Sequence, residues 1–173
     1  MKVIYLLRHA KSSWAEPGLA DFDRPLNKRG RKAAELMGGY MAEHGWTPEL
    51  VLCSPAKRAA ETLELVRAGH PGLARIEIAE TIYDASSHLL MRLLQALPDD
   101  VSEVMLIGHN PGLETLAGDL AADGDTDELA KLRTKFPTGA LAILETNAQS
   151  WRDLRRGTAQ LRRFVRPREI EPA

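Results

Sequence analysis

Only one cysteine, Cys53, stands among the 173 residues. A disulfide framework and a cysteine-based metal cluster are both excluded. Long hydrophobic runs are missing as well. The amino end leads straight into Val3-Ile4-Tyr5-Leu6-Leu7, too short for a signal-peptide core and far too short to span a bilayer. The expected compartment is the cytoplasm, with no membrane partner. A dominant charge is also lacking: the formal net charge of -1 gives no global drive toward nucleic acid. Charge is nonetheless unevenly placed. Pro98 to Ala130 carries nine acidic residues and no Lys or Arg, and Trp151 to Arg168 carries seven Arg against Asp153 alone. Both stretches read as solvated faces. Internal repeats and a composition break are absent, so residues 1-173 read as one domain, with Pro167 to Ala173 a loose tail. A chain of this length buries roughly two-thirds of its unfolded surface without staples.

What is present is organised around the first strand. Val3 to Leu7 is rich in β-branched and aromatic residues and stops at Arg8-His9, groups that strand cores avoid. Lys11 to Pro25 then holds Pro17, Gly18, Asp21, Asp23 and Pro25 without a period, a loop long enough to be functional. Asn27 can cap a helix to about His44, stopped by Gly45. A second strand, Glu49 to Cys53, ends at Ser54-Pro55. That pair reads as a cap followed by the first helical residue, with a helix to about Gly69.

Arg75 to Ala79 alternates as a third strand ending at Glu80, and Ser86 or Ser87 caps a helix that Pro98 terminates. Glu103 to Ile107 is a fourth, ending in Gly108-His109-Asn110-Pro111-Gly112, where cap and proline recur before a helix through Leu120. Ala140 to Leu144 and Gln160 to Val165 read as two more strands. Alternating strands and helices imply an α/β fold, a three-layer αβα sandwich around a mostly parallel sheet.

In such a sheet the four successive strand ends arrive at one edge, where open α/β sheets bind ligands. One site would then hold Arg8, His9, Ser54, Arg58, Glu80 and His109. Two guanidinium forks and helix N–H groups suit a phosphoryl dianion. A neutral imidazole can attack its phosphorus, and water can then hydrolyse the phosphohistidine formed. Glu80, with Asp84 behind it, is the candidate general acid.

These residues resemble the histidine phosphatase superfamily, the phosphoglycerate-mutase-like fold. Its Arg-His-Gly stands here as Arg8-His9-Ala10, its Ser-Pro-x-x-Arg-Ala-x-x-Thr as Ser54 to Thr62, and its Gly-His as Gly108-His109. Within it the chain resembles the SixA-type phosphohistidine phosphatases through Arg8 to Ser12, Asp21 to Leu26, Gly108 to Pro111 and Phe136 to Ala140. The resemblance implies that His9 is the nucleophile and that Arg8, Ser12, Arg58 and His109 bind the phosphoryl group, without metal or cofactor. It implies a phosphohistidine-bearing signalling protein or a small phosphorylated compound as substrate. The mutase-type Glu-x-x-Tyr-Gly is matched at Glu80 and Tyr83 only. The short insert after Glu80 implies an open cleft.

Four other readings compete. In a cysteine phosphatase Cys53 would need its arginine one residue beyond Arg58, on a phosphate loop and not in a strand. A metallohydrolase would need ligand spacing that His44, His70 and His88 lack. A mutase or small-molecule phosphatase of the same superfamily, or a non-catalytic phosphate-binding module, would use the same pocket.

Overall fold

The computed structural model describes residues 1–172. Seven strands form one sheet: β1 (Lys2–Arg8), β2 (Leu50–Cys53), β3 (Ile76–Ile78), β4 (Glu103–Gly108), β5 (Ala121–Gly124), β6 (Leu141–Thr146) and β7 (Ala159–Val165). Their spatial order is β3-β2-β4-β1-β6-β7-β5. The first four in that order run parallel, β6 runs antiparallel to β1 and β7, and β5 is parallel to β7.

The central strands are apolar on both faces because helices cover both. Tyr5, Leu7, Val51, Cys53, Met105 and Ile107 pack under α1 (Lys28–Glu43) and α2 (Lys57–Gly69). Their neighbours Ile4, Leu6, Leu50, Leu52, Val104 and Leu106 pack under α3 (Ser87–Gln95), α4 (Gly112–Leu120) and α5 (Thr126–Thr134). The period-2 switch along each strand thus divides its side chains between two cores, which makes the three-layer sandwich. No helix among the described residues is long and apolar enough to cross a membrane.

Several local expectations shift. Asn27 does cap α1, its Oδ1 accepting from Gly30 N–H at 2.8 Å, and Ser86 caps α3 through Leu89 N–H. Ser54-Pro55, however, does not start α2. The Ser54 amide still donates to Ile107 O at 3.0 Å, so strand pairing holds it and the helix begins two residues after Pro55. Asn110 accepts from Glu114 N–H at 3.2 Å and caps the first turn of α4, which begins at Gly112.

Periodicity assigns no element between Leu120 and Phe136, where the structure has β5 and α5. Pro167–Ile170 form a short helix, α6, where a loose tail was expected. Glu169 bonds back to Arg166, and Ile170 packs on the α1 side of the core.

The α1–α2 contact is a backbone contact. A Cβ on Gly38 would stand 2.2 Å from Val66 O, and one on Gly69 would stand 2.6 Å from Glu35 O. Ordinarily Gly→Ala inside a helix gains about 1 kcal/mol. Gly38→Ala is expected instead to destabilise by about 1–3 kcal/mol in urea unfolding, because α2 must move away. A gain in stability would contradict so close a crossing.

Candidate active site

At the carboxyl ends of β1 and β4, beside the start of α2, lies one pocket of about 340 Å³, lined by Arg8, His9, Ser12, Arg58 and His109. These five sequence-stretch candidates are thus brought together.

His9 follows β1, its amide donating to Gly108 O at 3.0 Å, and its ring is buried. Nδ1 lies 2.7 Å from the Ala10 carbonyl, which can only accept, so Nδ1 carries the proton and Nε2 presents its lone pair. Arg58 Nε lies 3.4 Å from that Nε2. Burial, reinforced by His109, Arg58 and Arg8, lowers the His9 pKa to about 3. The ring is neutral at neutral pH, as a nucleophile must be.

His109 follows β4, its ring centroid 5.2 Å from that of His9. Its Nε2 lies 2.7 Å from Ser54 Oγ, an oxygen that also accepts from Ala56 N–H. Burial and then Arg58 lower its pKa to about 4. Its Nδ1 is buried and has no partner among the described residues, and the same holds for Arg8 Nε. Arg8 Nη1 donates to Phe136 O at 3.0 Å. Arg8 Nε is a donor in any state, and an unmatched buried donor costs about 1–3 kcal/mol, which an oxyanion in the pocket would relieve.

Arg58 lies on the first turn of α2 and is buried. Its Nη1 donates to Asp21 O at 2.7 Å and its Nη2 to Asp21 Oδ2 at 3.1 Å. Asp21 also accepts from Tyr83 Oη at 2.8 Å. That bond and the Arg58 charge hold its carboxyl below the usual range, so it stays ionised.

Sequence reasoning noted the Asp21 to Leu26 stretch without giving Asp21 or Arg24 a place in the site. Arg24 lines the pocket, donates to Ser12 Oγ at 2.8 Å and lies 3.6 Å from the centre of the exposed Trp14 ring. The Ser12–Leu26 bridge folds the loop back and carries both residues inward. Lys11, Trp14, Asn110 and Thr138 complete the lining.

Glu80 is not brought in. It begins a 3-10 turn, Glu80–Ile82, that buries Ile82 and leaves Glu80 exposed. Its side chain makes no hydrogen bond or ion pair among the described residues, and it does not line the pocket. Asp84 is exposed too.

The competing motifs resolve as packing. Cys53 is buried, and burial pushes its thiol up to about 12, so it is no thiolate nucleophile. His70 bonds Trp46 O and Thr47 Oγ1, His44 stacks on Tyr40 and Trp46, and His88 is exposed.

Residues 4–87 match the model of the histidine phosphatase superfamily (branch 1). The uncharacterized protein Rv1276c of Mycobacterium tuberculosis is 36% identical over 165 residues, 94% of this chain and all of the relative. A chloroplastic uncharacterized protein of Arabidopsis thaliana is 32% identical over 87% of this chain and 69% of its own length. Among solved structures, the candidate phosphohistidine phosphatase SixA of Agrobacterium tumefaciens is 35% identical, with a TM-score of 0.79 over 96% of this chain and 98% of its own. With these matches and this pocket, the chain belongs to the histidine phosphatase superfamily and is a phosphatase. Within that class it is of the SixA type.

Two measurements follow from the geometry. Thr62 Oγ1 accepts from Ala10 N–H at 3.0 Å and donates to Arg58 O at 2.7 Å. Thr62→Val should cost about 1–3 kcal/mol by stranding the buried amide, and should lower phosphatase kcat because His9 and Arg58 lose their common brace. An unchanged kcat would separate the brace from the chemistry.

The second concerns pH. Both folded-state histidine pKa values, about 3 and about 4, lie below the unfolded 6.5. Over that window the unfolded chain binds more protons, so the stability present above pH 6.5 is lost as pH falls. The slope is at most about 1.4 kcal/mol per pH unit for each ring. The melting temperature should fall from pH 6.5 toward 4, less so in His9→Asn/His109→Asn. Parallel profiles would show that these rings do not titrate as buried groups.

Proposed function

We propose that this protein is a metal-independent phosphohistidine phosphatase, acting in the cytoplasm on a histidine-phosphorylated signalling protein through a phosphohistidine on its own His9. The observation that carries the reading is the buried, neutral His9, its Nδ1–H fixed on Ala10 O, in one pocket with Arg8, Arg58 and His109.

In this reading His9 Nε2 attacks phosphorus in line, forming a P–N bond as the bond to the substrate imidazole breaks. The bonding pair leaves with that imidazole, which departs neutral because its other ring nitrogen has taken a proton from water. Water then attacks the phosphorus on His9, inorganic phosphate leaves, and the Nε2 lone pair returns. Charge on the equatorial oxygens is met by Arg8 and Arg58, and by His109 Nδ1–H in the tautomer whose Nε2 accepts a hydrogen bond from the Ser54 hydroxyl. Ser12 Oγ and Arg24 hold the outer side of the phosphoryl group. Glu80, exposed and outside the pocket, receives no acid role, and Asp21 is too firmly ionised to serve as one. A labile P–N bond needs less leaving-group protonation than an alkyl phosphate.

The SixA-type neighbour supports a protein substrate, and so does access. Only Tyr83 to Ser86 separate the Glu80–Ile82 turn from α3, so no inserted segment roofs the pocket there.

The test is hydrolysis, in chelator, of a histidine-phosphorylated carrier domain and of an aryl phosphate by wild type and His9→Ala. Turnover of the carrier by wild type, reduced at least about 10³-fold in the variant, is expected. Turnover of the aryl phosphate alone would keep the His9 chemistry and reject the protein substrate. Phosphate binding with no turnover of either would leave a binding module.

A further inference from the structure

Beside the phosphoryl pocket lies a larger groove of about 680 Å³. Arg8, Lys11 and Thr138 line both, so the two adjoin across one shared wall. The topology explains the position. Because β6 is antiparallel to β1, the Phe136–Ala140 turn that enters it arrives at the edge where β1 ends. Because β7 reverses again, Arg166 and α6 arrive there too.

The lining is strongly basic. Arg29 comes from α1, Lys131 from α5, Lys135 from just beyond it, and Arg166 and Arg168 from the chain after β7, joining Arg8 and Lys11. Among the described residues Glu171 is the one carboxylate in the lining. Lys131 pairs with Glu128 at 2.8 Å and with Glu169 at 3.2 Å, and Arg166 pairs with Glu169 at 2.6 Å. Lys11, Arg29, Lys135 and Arg168 are exposed and form no ion pair among the described residues. In a chain of net charge -1, this cluster is not a by-product of a basic composition. Like charges gathered without partners do nothing for folding.

We propose that this groove is the docking surface for the protein substrate, taking acidic side chains that flank its phosphohistidine. This rests on the phosphohistidine reading of the adjoining pocket. The groove's cations are spread along an open trough with Ala33, Pro137 and Pro167 between them. That arrangement suits separate Asp and Glu side chains on a polypeptide better than the compact charge of a small polyphosphate. Exposed charges of this kind act on encounter and specificity, and they are screened by salt.

The test uses Lys135→Glu/Arg168→Glu against a control of equal charge, Arg152→Glu/Arg156→Glu. The control lies on the β6–β7 connection, at the opposite sheet edge where β1 begins. One arm measures fluorescence anisotropy of a labelled Asp/Glu-rich peptide. The other measures turnover of a carrier whose phosphohistidine is flanked by acids, with an aryl phosphate beside it.

The groove variant should lose about tenfold in peptide affinity and in carrier kcat/KM through KM, with a flatter salt dependence. The aryl phosphate, too small to reach the groove, should turn over as in wild type, and the control variant should resemble wild type in both arms. Equal effects in both variants, or none in the groove variant, would overturn the proposal. Tripolyphosphate binding that requires the groove while the peptide binds neither protein would overturn it in favour of a small polyanion. If wild type turns over no phosphohistidine carrier, the reading of the pocket fails, and the anisotropy arm still decides the groove.

Discussion

A closed circuit of four contacts is what the site depends on. The His9 ring donates to Ala10 O, Ala10 N–H donates to Thr62, the Thr62 hydroxyl donates to Arg58 O, and Arg58 Nε returns to His9 Nε2. All four links are buried, the first three at 2.7–3.0 Å and the last longer at 3.4 Å, so none can be exchanged for water cheaply. The circuit ties the end of β1 to the first two turns of α2. It also explains the spacing of the second motif. Thr62 stands four residues after Arg58, one helical turn on, where its hydroxyl reaches the Arg58 carbonyl.

Burying two guanidiniums beside two imidazoles is costly, and the structure limits the cost in distinct ways. The histidines give up their protons, removing two like charges. Arg58 keeps its charge and gives both Nη groups to Asp21, which Tyr83 holds in turn. Arg8 is left less satisfied, with one bond to Phe136 O and a buried Nε unmatched. Arg8 lines the pocket, so that residual deficit lies at the pocket's wall.

Much of this was legible in the chain. A buried strand that ends in Arg-His, and another that ends in Gly-His, declare a sheet edge because such groups cannot continue into a core. Once the strands are parallel, their convergence follows. Glu80 was misplaced for a local reason: the strand before it ends in a 3-10 turn that points Ile82 inward. Arg24 and Asp21 escaped notice because they sit on an aperiodic loop, and only the Ser12–Leu26 bridge carries them to the pocket. β5 and α5 escaped for another. α5 buries only Leu129 and Leu132, and Ala121-Ala122 continues the composition of α4 without a break.

The Arg-rich carboxyl end shows how far a charge run can be read in one dimension. As a sequence it is one basic face. The reversal through β7 divides it: Arg152, Arg155 and Arg156 stay at the edge where β1 begins, and Arg166 and Arg168 are delivered to the edge where β1 ends. Gly139 shows how closely that second group is fitted to the site. It is held at φ 77°, its amide donates to Arg8 O and His9 O, and a Cβ there would lie 2.9 Å from the Pro167 ring. A bulkier residue would strain the turn and push α6 away from β1 at once. The groove and the neighbouring pocket are therefore tied through backbone as well as through Arg8, which fixes the position of one relative to the other.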